Sequence, residues 1–178
     1  MSRRPAVLAV PLGLGAVTAL ALGLYSSIHE PTGRDFVLTG FDSTASWKSA
    51  LASVTVFLVL VQMTLGLRLT GRLGPRRPPP PWAADVHRLV GTVAFGISIP
   101  VVFHCIWALG YQSGNNRVVV HSLFGFLAYG LYVAKILTAR SDEPPERSLA
   151  VLGSLLGFAL LAAWWSSALV FYAGTATS

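Results

Sequence analysis

Residues 86–109 read VHRLVGTVAFGISIPVVFHCIWAL, and Arg88 is the one Lys, Arg, Asp or Glu among them. At 1.5 Å per residue, a helix of this length covers about 36 Å, enough to cross the ~30 Å hydrocarbon core of a bilayer. Four further stretches repeat the pattern, at residues 6–28, 47–69, 118–137 and 149–172. Each is 20 to 24 residues long and predominantly apolar. Lipid cannot satisfy exposed backbone groups, so apolar runs of this length are expected to be helices. Barrel strands would be about ten residues long and would alternate, and these runs do neither. The sequence therefore predicts an all-α, polytopic membrane protein: a five-helix bundle forming a single transmembrane domain across residues 1–178.

Composition agrees. Of 178 residues, 53% are hydrophobic and 11% charged, with a mean hydropathy of +0.63. A soluble domain carries about 25% charged residues. The formal net charge is +6, yet the basic residues form no patch interleaved with aromatics, so no nucleic-acid partner is expected. They cluster beside the apolar runs instead. Arg3, Arg4, Arg68, Arg72, Arg76, Arg77, Arg88, Lys135, Arg140 and Arg147 fall on one side of the predicted membrane; Arg34, Lys48 and Arg117 fall on the other. The positive-inside rule places the first set in the cytoplasm. A multi-pass protein of the cytoplasmic membrane follows, with its N-terminus inside and its C-terminus outside. The first run is longer than the 7–15 residues typical of a cleavable signal core and reads as an uncleaved span. Cys105 is the single cysteine, which excludes an intrachain disulfide. The run Pro78-Pro79-Pro80-Pro81 in the second connection reads as an extended spacer.

Three of the four histidines stand near the outer ends of these spans: His29, His104 and His121. Ionisable groups near hydrocarbon are costly and are functional suspects by default. His104 lies about five residues before the end of the third span, and His121 about three residues into the fourth. Both are then roughly 5–8 Å below the outer boundary. Equal depth on successive antiparallel helices suits one planar cofactor, and imidazole is a common ligand of haem iron and other metals. Below His121, Gly125, Ala128 and Tyr132 follow on one stripe. Its two small residues leave room for a flat ring, or serve close helix packing. Neighbouring helices usually pack 8–10 Å apart, closer than a haem between two histidines requires. The seven-residue connection 111–117 spans up to about 20 Å, so it permits the wider gap. His29 with His104 and His121 makes a different set, which with Cys105 or Glu30 would suit copper or zinc.

His87 begins the third span at its inner end, about 25 Å along the helix from His104, and heads a second small-residue stripe through Gly91 and Ala94. It reads as a structural helix-end histidine or as a proton-handling group. Gln62, in the inner half of the second span, reads as a hydrogen bond between helices. Cys105 reads as a small buried hydrophobe or a weak ligand.

The segments His87-Arg88-Leu89-Val90-Gly91, Phe103-His104-Cys105-Ile106-Trp107 and His121-Ser122-Leu123-Phe124-Gly125 carry a resemblance. With His29-Glu30-Pro31-Thr32-Gly33 and Trp165-Ser166-Ser167-Ala168-Leu169, most of the chain resembles an actinobacterial family of five-span membrane proteins with a domain of unknown function. More distantly, the His-Arg-x-x-Gly and His-Ser-x-x-Gly pattern is similar to membrane b-type cytochromes of the ferric-reductase and ascorbate-cytochrome kind. That resemblance implies haem b between histidines of neighbouring spans. Di-haem members need two ligands at each face; His87 stands alone at the inner face, so the implied number is one haem, near the outer face.

Three functions remain open on the residues alone. The first is an electron carrier or oxidoreductase subunit with one haem b on His104 and His121, exchanging electrons with a membrane quinol, an outer metal substrate or a partner oxidoreductase. The second is a copper- or zinc-binding or transport protein using His29, His104 and His121. The third is a cofactor-free structural or assembly subunit.

Overall fold

The computed structural model describes residues 4–74, 78–142 and 144–174. Arg3, Arg76 and Arg77, which enter the charge count, lie outside them. All regular structure among the described residues is helical. The helices are α1 (Arg4–Ile28), α2 (Thr44–Leu69), α3 (Ala83–His104), α4 (Asn116–Ala139) and α5 (Glu146–Trp164). α3 continues through a π-helical turn, Cys105–Leu109, and α5 through another, Trp165–Leu169, before ending in Val170–Tyr172. All five are long and apolar enough to cross a membrane.

Most helices begin two or three residues before the apolar runs do, because polar residues continue them. Ser43 and Ser46 form a reciprocal capping box at the start of α2. The side chain of Asn115 accepts from the Arg117 N–H at the start of α4, 2.8 Å away. Such caps satisfy donors that a helix end leaves unpaired. Pro78–Pro80 is irregular, and the Ala83 N–H bonds back to the Pro80 carbonyl as the chain turns into α3.

The outer surface of the bundle is apolar: Leu20 is 72% exposed and Phe57 63%. Only lipid makes such a surface stable across five helices. Inside, α1 packs on α4, α4 on α5, α5 on α2 and α2 on α3. α3 and α4 are consecutive, yet their backbones barely approach. Large side chains fill the seam. Phe95 stacks on Tyr132 with centroids 4.0 Å apart, and the Ser98 and Tyr129 hydroxyls meet at 2.7 Å. The backbones of α1 and α4 come close together: a Cβ on Gly130 would stand 2.5 Å from the Gly15 carbonyl oxygen. Small residues permit this backbone approach, as membrane helices commonly require.

Candidate functional site

The bundle has a basic face, where α1, α3 and α5 begin, and an opposite face that holds His29, His104, His121 and both π turns. At this second face the chain is tied down by backbone bonds. The loop after α1 lies over the first π turn: Thr32 and Gly33 donate to the carbonyls of Trp107 and Ala108, at 3.3 and 3.0 Å. Tyr111 donates to the Ser26 carbonyl at 2.8 Å. Gly110 has φ +63°, and a Cβ there would stand 2.8 Å from Pro31. Only glycine fits that corner. Farther along the loop, the Phe36 carbonyl accepts from the Trp47 indole N–H and from the Thr44 hydroxyl.

His104 closes α3 beneath this loop and is 5% exposed. Its ring meets Trp47 edge-on, with centroids 5.8 Å apart. Both ring nitrogens are buried and make no well-formed hydrogen bond among the described residues; the Arg34 backbone is a polar group near enough to interact with the ring. The ring forms the wall between two clefts. One is lined by Asp35, Asp42, Ser43, Thr44 and Lys48, the other by Arg34, Phe36, Trp47, Phe103 and Trp107. Six residues beyond Ser98, at about 100° each, carry His104 roughly 240° around the helix. It therefore projects on the α2 flank of α3, away from the Ser98 stripe that meets α4.

His121 stands one turn into α4, and its Nδ1 lies 2.9 Å from the carbonyl oxygen of Ala163 in α5. A carbonyl can only accept, so Nδ1 carries the proton and Nε2 is left as the lone-pair nitrogen. The same carbonyl takes the Ser167 hydroxyl at 2.8 Å, and Arg117 donates to the Ser166 carbonyl at 2.8 Å. α4 is thus fastened by two side chains, His121 to the last turn of α5 and Arg117 to the π turn that follows. Below His121, a Cβ on Gly125 would meet no atom within 4 Å, and Ala128 is 2% exposed. Lys48, on the first turn of α2, is within electrostatic reach of His104, Cys105 and His121.

His29 follows α1 and stacks on Tyr25, centroids 4.9 Å apart, with its Nε2 buried and unpartnered among the described residues. Cys105, a free thiol, opens the first π turn. Among the described residues, no three His, Cys, Asp or Glu side chains come close enough to hold a metal ion. The three-imidazole arrangement thus gains no support from the geometry. His87 lies at the basic face, where its carbonyl accepts from Gln62 on α2. Gln62 is the interhelical hydrogen bond that its place in an apolar span suggests. Gly91 leaves the space Gln62 occupies, since a Cβ there would overlap its amide.

Sequence reasoning missed Trp47 as the floor under His104, Lys48 as the shared cation, and the Ala163 carbonyl as the partner of His121. Trp47 and Lys48 stand at the end of an apolar run, where aromatic and basic residues are common whether or not they serve a site. No sequence signal announces a π turn, although such turns recur at functional sites.

Five helices long and apolar enough to cross a membrane define a multi-pass membrane protein. The chain belongs to a family of unknown function, DUF6529, whose match covers residues 8–178. No curated protein and no solved structure matches it.

Proposed function

We propose that this membrane protein carries electrons by way of one haem b held in its histidine-rich half by His104 and His121. The observation that carries the reading is His104. Two imidazole nitrogens buried in an apolar bundle, with a weak backbone contact to Arg34 and no well-formed hydrogen bond, are costly, and coordination of one of them removes part of that cost. His121 adds the arrangement typical of a metal-bound histidine, in which one ring nitrogen donates to a carbonyl and the other is left to coordinate. Gly125 leaves open space on the turn beneath it. Lys48, within electrostatic reach of both imidazoles, and Arg117, one turn before His121 on the same face of α4, supply positive charge for the haem carboxylates. Because His104 projects on the α2 flank, the shared ligand belongs at the α2 side of this end, beside Lys48.

When bound, the haem iron supplies a reversible one-electron valence change. The chain's own residues orient the ring, neutralise its carboxylates and exclude water. No flavin or nicotinamide motif is present in the sequence, so electrons come from and leave to other molecules, such as a membrane quinol or a partner oxidoreductase. The excess of Lys and Arg on the basic face supports an orientation with that face and the N-terminus in the cytoplasm, and the histidine-rich end and C-terminus outside.

The absorption spectrum of the purified protein tests the reading. A Soret band with sharp bands on reduction is the expected result. Bound copper or zinc without a Soret band would favour the metal-binding alternative, and a colourless, metal-free protein would favour a structural subunit.

A further inference from the structure

Of the two clefts that the His104 ring divides, the one away from Lys48 takes no part in holding the haem proposed above. It encloses about 360 Å³, within the size range of small-molecule sites. Its apolar walls come from three elements: Phe36 from the loop after α1, Trp47 from α2, and Pro100, Phe103 and Trp107 from α3. Phe103 and Trp107, one turn apart, stack with centroids 5.6 Å apart, and Phe36 meets Trp47 edge-on at 6.1 Å. Trp47 is 1% exposed and Phe103 59%, so the cleft runs from a buried floor out to the lipid-facing side of α3. Pro100 is exposed as well and lies nine residues before Leu109, about 13 Å along the helix. The cleft therefore starts at the loop and reaches into the hydrocarbon.

Its charged groups gather at the loop end, where Arg34 and Asp35 line it. The Arg34 guanidinium forms no hydrogen bond or ion pair among the described residues. Asp35 accepts the Thr44 hydroxyl on Oδ1 at 3.2 Å, which leaves Oδ2 for another donor. A group that can only donate thus stands beside one that can only accept. A ligand hydroxyl satisfies both, accepting from the guanidinium and donating to the carboxylate. A ketone oxygen could use Arg34 alone, and a phosphate would meet the like charge of Asp35.

We propose that this cleft binds the head group of a lipid-soluble quinol, with one hydroxyl held between Arg34 and Asp35 and the ring against the aromatic walls. A flat ring makes offset or edge contacts with Trp47, Phe103 and Trp107, and its apolar tail leaves past Pro100 into the lipid. A zwitterionic phospholipid could pair with both charges, but its head group stays at the interface and would leave the deeper aromatic part without an occupant. A role for the quinol as electron donor rests on the haem reading, in which the bound ring would lie against the imidazole of His104. Binding itself does not require the haem.

The test uses the full chain in phosphatidylcholine nanodiscs, titrated without oxygen with radiolabelled decyl-benzoquinol and, separately, with its quinone, protein-free nanodiscs being subtracted. Saturable binding of one quinol per chain is expected, about tenfold tighter than the quinone, which has no proton for Asp35. Asp35→Ala should weaken the quinol alone and so remove the preference. Arg34→Leu should weaken both forms about tenfold. Both residues are exposed, so neither change disturbs the core. Phe103→Ala, at a lipid-facing position, should also weaken both forms. No saturable binding, equal affinity for the two redox forms, or unchanged affinities in the Arg34 and Asp35 variants would overturn the proposal. So would displacement of the quinol by phosphatidylethanolamine. The Soret band, read on the same samples, separates the two readings: quinol binding without haem refutes only the haem, and haem without quinol binding refutes only this site.

Discussion

Gly125 and Gly130 lie five residues apart on α4, and the structure gives substitutions at them opposite outcomes. At Gly130 an added Cβ would stand 2.5 Å from the Gly15 carbonyl oxygen and 2.9 Å from the Ala19 Cβ. An ordinary C···O contact is about 3.3 Å, so α1 must retreat by about 0.8 Å. Such overpacking costs about 1–3 kcal/mol. Replacing a helical glycine by alanine returns about 0.5–1 kcal/mol. Gly130→Ala is then destabilising, by up to about 2 kcal/mol. At Gly125 the added atom meets nothing within 4 Å, so Gly125→Ala keeps the gain and stabilises by up to about 1 kcal/mol. Gly125→Leu, entering the same open space, should also fold at least as stably as the parent. Unfolding by increasing dodecyl sulfate in mild detergent, followed by circular dichroism, measures both. Haem content decides what the space beneath His121 is for. A stable Gly125→Leu protein that has lost its Soret band locates the cofactor there. If that variant unfolds as readily as Gly130→Ala, the space is absent. If it is stable and fully loaded with haem, the stripe serves no cofactor.

Three further outcomes are expected. His104→Ala or His121→Ala should remove most of the haem or leave it high-spin, whereas His29→Ala and His87→Ala should leave the low-spin spectrum intact; loss of haem in the His87 variant alone would show the wrong pair. A reporter active only outside the cytoplasm should be active when fused after Ser178 and silent when inserted between residues 71 and 74, and the reverse pattern would invert the topology. Trp47→Phe removes the indole N–H that bonds the Phe36 carbonyl and thins the floor under His104. It should destabilise the fold by about 1–3 kcal/mol in the same unfolding assay, and an unchanged midpoint would mean that the loop is not held there.

The five spans were legible because runs of 20 or more apolar residues admit few structures in water or lipid. Their starts fell two or three residues late, because a reading by hydropathy alone discards polar residues that still belong to helices, such as those after the caps at Ser43 and Asn115. The lateral order was not legible. Each span is apolar around most of its circumference, so nothing in the pattern says which side faces a neighbour. Sequence adjacency misleads here: α3 and α4 stand apart, while α1 packs against α4 through Gly15 and Gly130. The candidate site divides in the same way. The stripe from His121 through Gly125 and Ala128 depended only on helical periodicity and was readable. The direction of the His104 ring depends on Trp47 and on a loop anchored some 70 residues earlier in the chain, and periodicity carries no such information.

The two π turns make this end of the bundle a place where chain length can change. A π turn holds one more residue than the α turn it replaces, so removing a single residue from 165–169 would restore a regular helix at little local cost. Everything beyond it would keep its phase, because the α turn closes the same circle with one residue fewer. The Ser166 carbonyl lies inside the altered turn, so its bond from Arg117 is the contact that such a deletion changes first. The same deletion in the middle of α5 has no such turn to absorb it and would rotate everything beyond it by about 100°. A single-residue deletion at 165–169 would thus test the linkage beside His121 while leaving the outer faces of α5 in place.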